Sequence, residues 1–88
     1  MNVDIIWSRI VENVGEEFIQ IKGKKFMYEL KGKSGIKPNT TNRIIPKSEI
    51  EKALKFVPLE NTVKLQNLQA PSYIYAILMD RRIRKHDW

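Results

Sequence analysis

The residues that could do chemistry in this chain are its cations. Lys22, Lys24, Lys25, Lys33, Lys37 and Arg43 fall within one stretch, and Arg81, Arg82 and Arg84 within another. Side chains of this kind neutralise phosphates and bind DNA or RNA in a salt-dependent way, with little sequence selection. Arginine forks suit phosphate better than the point charge of lysine. Thr40, Thr41 and Asn42 add neutral donors of the type that contact phosphate oxygens. The competing reading is a solvated basic surface that discourages strands from pairing edge to edge. For the C-terminal cluster, cations at a helix C-terminus also stabilise the helix through its dipole.

The charge is unevenly spread. The net charge of the 88 residues is +6. Residues 22–47 set Lys22, Lys24, Lys25, Lys31, Lys33, Lys37, Arg43 and Lys47 against Glu29 alone. Residues 81–88 set Arg81, Arg82, Arg84 and Lys85 against Asp87. Residues 1–21 are acidic on balance, with Asp4, Glu12, Glu16 and Glu17 against Arg9. Tyr28 is the nearby aromatic, and the alternation of its strand turns it inward, which leaves no stacking platform for single-stranded nucleic acid. Trp88 either docks back on the domain or offers a stacking face.

Several chemistries lack their residues. There is no cysteine, so disulfides and thiolate sites are excluded. His86 is the one histidine and cannot hold zinc, which takes three or four protein ligands. No cofactor is expected. No apolar run approaches the ~18 residues of a membrane span, and Met1-Asn2-Val3-Asp4 lacks the basic opening of a signal peptide. The expectation is a soluble cytoplasmic chain with no membrane partner. On that footing the sequon Asn39-Thr40-Thr41 is a chance match.

The elements that must position these residues follow from periodicity. Val3, Ile6, Trp7, Ile10, Val11 and Val14 mark one face of a helix over 3–14, with Asn2 as cap and Gly15 as terminator. Glu16–Ile21 and Lys25–Leu30 read as a hairpin turning at Lys22-Gly23-Lys24. Lys31–Thr41 reads as the longest loop, and Arg43-Ile44-Ile45 as a third strand ended by Pro46. Ser48-Glu49-Ile50-Glu51 has the form of a capping box, opening a helix over 48–57 that Pro58 stops. Thr62–Gln66 alternates like a strand. Tyr73–Met79 is apolar or aromatic throughout and should lie at the centre of the core, in a helix over 71–81 that starts at Pro71; Tyr73-Ile74-Tyr75 alone would suit a strand equally.

The expected architecture is a single α+β domain spanning 1–88, with a basic C-terminal tail from about 81. A small antiparallel sheet of three or four strands is packed by two or three helices, in the order α-β-β-β-α-β-α.

Glu29-Leu30-Lys31 places an acidic residue two before a lysine on a strand. With a helix before the sheet and another after it, this resembles the PD-(D/E)xK nuclease superfamily, whose core order is αβββαβ. The resemblance implies carboxylates holding Mg²⁺ and a lysine positioning the attacking water. Here the motif lies on the second strand, and the further carboxylate would fall to Glu12, Glu16 or Glu17.

Three functions are therefore carried forward. The preferred one is a basic binding module for nucleic acid. The alternative is a protein–protein or self-associating module that uses the sheet edge or the Tyr73–Met79 segment. The third is a metal nuclease.

Overall fold

Helix α1 (Val3–Glu12) starts where the Asn2 side-chain oxygen accepts the Asp4 N–H at 2.8 Å. It buries Ile6, Trp7 and Ile10. The buried stripe is narrower than the periodicity implies, because Val11 and Val14 stay exposed. The helix ends before residue 14, and Asn13 closes it by donating its side-chain amide to the Arg9 carbonyl at 2.8 Å. Gly15 then turns the chain at φ +85°.

The computed structural model describes residues 2–88. It has an α+β architecture with two small antiparallel sheets. β1 (Phe18–Ile19) pairs with β2 (Lys25–Phe26). β3 (Tyr28–Lys31), β4 (Gly35–Pro38) and β5 (Ile45–Pro46) form the second sheet in that order. The expected hairpin is thus real but short. Its second arm divides at Met27: Lys25 and Phe26 stay with β1, while Tyr28 onward leaves to pair with β4.

Strand β4 lies inside the stretch read as a loop. Its single aliphatic side chain, Ile36, is fully buried, and Gly35 is needed there. A Cβ on Gly35 would stand 3.0 Å from the Lys31 carbonyl oxygen and 3.1 Å from the Ile44 side chain. Glycine and proline flanking one isoleucine hide the strand from any alternation test.

Helix α2 (Lys47–Ala53) begins one residue earlier than expected, with Pro46 at the cap position and no side-chain cap hydrogen bond. The Ser48–Glu51 box is therefore not made; both residues lie inside the helix. The last expected turns tighten into a 3₁₀ turn, Leu54–Phe56. The strand expected over 62–66 is a second 3₁₀ turn, Val63–Leu65. In a strand Val63 and Leu65 would share a face; here Val63 is 66% exposed and Leu65 is buried.

Helix α3 (Pro71–Leu78) opens on proline as expected and resolves Tyr73-Ile74-Tyr75 as helix. It buries Ile74, Ala76, Ile77 and Leu78. The helix stops short of residue 81 because Asp80 caps a separate turn, α4 (Arg81–Arg84), by accepting the Arg82 N–H at 2.9 Å. The basic C-terminal stretch is folded against the core, with Ile83 buried.

Phe18 stacks on Phe26 (5.9 Å) and lies against Tyr28 (5.2 Å), while Phe26 meets Tyr73 edge-on at 4.9 Å. The buried Tyr28 hydroxyl donates to the Ile10 carbonyl at 2.6 Å. That carbonyl belongs to the last turn of α1, where such groups lack full intrahelical partners. Tyr28→Phe should keep the fold but lower its stability by roughly 1–2 kcal/mol, read as a shifted denaturation midpoint with an unchanged slope. An unaltered midpoint would show that the bond contributes nothing net.

Candidate nucleic-acid interface

The β1–β2 connection turns at Gln20–Gly23. Gly23 donates its N–H to the Gln20 carbonyl at 2.8 Å and takes φ +90°. Beyond the Phe18–Phe26 pair nothing in this hairpin reaches the core. Lys22, Lys24 and Lys25 are all exposed there, as are Ile19 and Ile21. Among the described residues, Lys22 and Lys24 have no acidic partner within ion-pair distance, and Lys25 approaches Glu17 only at 3.8 Å.

The three C-terminal arginines separate into different roles. Arg82 grips Asp80 through Nε (2.9 Å) and Nη2 (3.0 Å), donates to the Glu17 carbonyl at 2.7 Å, and lies 4.2 Å from the centre of the Phe18 ring. Arg84 donates to the main-chain oxygen of Trp88. Arg81, the first residue of α4, is exposed and unpaired among the described residues. Trp88 docks back on the domain, its indole N–H on the Leu78 carbonyl at 2.8 Å.

The two basic blocks meet at Glu17. Its carbonyl holds Arg82 and its carboxylate faces Lys25, so the lysine hairpin and the start of α4 adjoin. The structure does not tie the remaining candidates to this junction. Lys33 lies in the β3–β4 turn, Lys37 stands opposite Glu29 on β4, and Arg43 is exposed ahead of β5. Sequence reasoning missed Glu17 as the joint and Asp80 as the anchor. Ile19 and Ile21 face outward, opposite the buried Phe18.

Glu29 of the acidic-x-Lys motif is exposed and bound by Lys31 at 3.0 Å. The Lys31 hydrogen bond and charge hold its carboxyl below the usual range, with Lys37 adding to the effect. Among the described residues no three His, Cys, Asp or Glu side chains are grouped as a metal site. The strand that the nuclease topology needs after α2 is replaced by the 63–65 turn. His86 is exposed at φ +66° in the turn after α4. Phe56 is the aromatic with an exposed ring among the described residues, and it follows α2 rather than adjoining the lysines. No helix among the described residues is long and apolar enough to cross a membrane. No protein-family model matches the chain, and no curated protein or solved structure matches it.

Burial alone would push the Asp80 carboxyl up, but hydrogen bonds from the Arg82 side chain and main chain outweigh it and hold the group below its ordinary value. A depressed folded-state value stabilises the fold at pH above the ordinary aspartate range and loses that contribution as pH falls through and below about 4. Asp80→Asn should therefore cost about 1 kcal/mol at neutral pH, a modest figure because the pair is partly exposed. The gap to the parent should close between about pH 4 and pH 2. Urea denaturation at pH 7 and pH 3 reads this, and a gap of equal size at both would refute the ionic account.

Proposed function

We propose that this domain binds nucleic acid through its phosphate backbone, using the β1–β2 hairpin tip and the adjoining start of α4. The observation that carries this reading is the junction at Glu17: its carbonyl holds Arg82, the neighbour of exposed Arg81, and its carboxylate faces Lys25 of the hairpin that bears Lys22 and Lys24. Lysines at a turn tip reach phosphates as mobile point charges and do not read bases. Ile19 and Ile21 supply apolar surface between the charges. Such side chains press against sugars or base steps in minor-groove binders. Arg82 and Arg84 support the platform instead of contacting the ligand. Lys25 adds charge at its edge, and Lys33, Lys37 and Arg43 contribute longer-range attraction.

Neutralising about four phosphates predicts an affinity that falls roughly 100-fold between ~50 and ~200 mM salt. Fluorescence titration with a short duplex and a short single strand measures the fall and the preference. Reversing Lys22, Lys24 and Arg81 together should abolish binding while leaving the unfolding midpoint nearly unchanged, since none of the three packs. Unchanged affinity in a folded triple variant, or no binding by the parent at low salt, would overturn the proposal.

A further inference from the structure

The second sheet has two unlike edges. β5 offers two residues and ends on Pro46, which has no N–H. β3 offers four residues without proline. Tyr28 stands opposite Pro38, and Asn39 donates its N–H to the Met27 carbonyl at 2.8 Å. Hydrogen-bonded and non-hydrogen-bonded pairs alternate in an antiparallel ladder. Tyr28 and Leu30 therefore turn their main-chain groups away from β4. The Tyr28 carbonyl is satisfied by the Gly15 N–H at 3.1 Å. Among the described residues Leu30 has no such neighbour, and its N–H and carbonyl face outward as a free template.

Two features say what fits that template. Leu30 is 41% exposed and, with Trp7 and Val11 of α1, forms the apolar part of an open groove of ≈ 630 Å³ that Asp4, Glu12, Lys33 and Lys47 also line. The flanking charges are self-complementary: Glu29-Leu30-Lys31 reads as minus, apolar, plus. Antiparallel pairing about a twofold axis through Leu30 sets each Glu29 opposite the partner's Lys31. Lys37 already stands across from Glu29 on the other side, so every Glu29 would lie between two lysines. The two Leu30 side chains would point to the same face, into the groove.

We propose that β3 pairs antiparallel with β3 of a second copy of this chain, centred on Leu30, giving one continuous six-stranded sheet. The interface is isologous, as a twofold dimer requires. It is independent of the nucleic-acid reading, because its residues are not those of the hairpin tip.

Sedimentation equilibrium from about 5 µM to about 500 µM covers the range expected of a small interface. The weight-average mass should rise from the 10.4 kDa monomer toward twice that value. Lys31→Glu places like charges opposite each other and should weaken the dimer at least tenfold. The exchange Glu29→Lys with Lys31→Glu restores complementarity and should recover most of the association. Leu30→Pro removes the outward N–H and should leave a monomer; if that variant fails to fold, the charge exchange still decides. A parent that stays monomeric throughout, or association indifferent to the single reversal, would overturn the proposal.

Discussion

The hydrogen bond from the Tyr28 hydroxyl to the Ile10 carbonyl is the constraint around which the domain is arranged. Tyr28 follows Met27, where the chain leaves one sheet for the other, and its ring is fully buried against Phe18. Burial pushes its hydroxyl far up from the ordinary tyrosine value, so it remains a donor at any ordinary pH. The two-stranded sheet is too small to persist alone. One side chain joins the last turn of α1, the β1–β2 pair and the start of β3 at a single point.

The C-terminal half is held by a different device, in which arginines close the ends of helices. Arg9 donates to the Ile83 carbonyl at 2.9 Å and pairs with Asp87 at 2.6 Å, fastening α4 to α1. Arg82 fastens the other side of α4 to β1. Trp88 adds a third tie by donating to the end of α3. A guanidinium presents several donors in fixed directions and can satisfy two elements at once, which an ammonium on a flexible stem does less well. This division separates fasteners from free charge: Arg9, Arg82 and Arg84 hold the fold, whereas Lys22 and Lys24 form no ion pair among the described residues.

That difference also marks how far the sequence could be read. α1, the Asn2 cap, Pro71 at the start of α3 and the inward Tyr28 were legible, because each rests on a local rule about spacing or backbone conformation. β4 was not, since one isoleucine among glycine, lysine and proline carries no period. The Val63–Leu65 turn was not either: two apolar residues spaced by two suit a strand, and only the absence of a neighbouring strand decides otherwise. Ser48 to Glu51 had the right letters for a cap, but β5 delivers the chain to the helix one residue early. At the candidate site, Arg81 and Arg82 are alike in sequence. They differ in what stands opposite, and Glu17 lies 65 residues away from Arg82 along the chain.

The placement of charge on the two sheets bears on what each surface is for. Lysine on an exposed edge is a common defence against unwanted strand pairing. If that were the purpose of the lysines here, they would concentrate on β3, the longest edge the domain leaves open. Instead β3 carries balanced charge, Glu29 beside Lys31, around an exposed leucine. Lys22 and Lys24 stand beyond the last paired residues of β1 and β2, where there is little ladder to protect. The side chains at those tip positions are exposed and form no ion pair among the described residues; the Lys24 main-chain carbonyl accepts the Gln20 N–H at 2.8 Å. The cationic tip and the charge-balanced edge are thus distributed oppositely to a design for solubility alone.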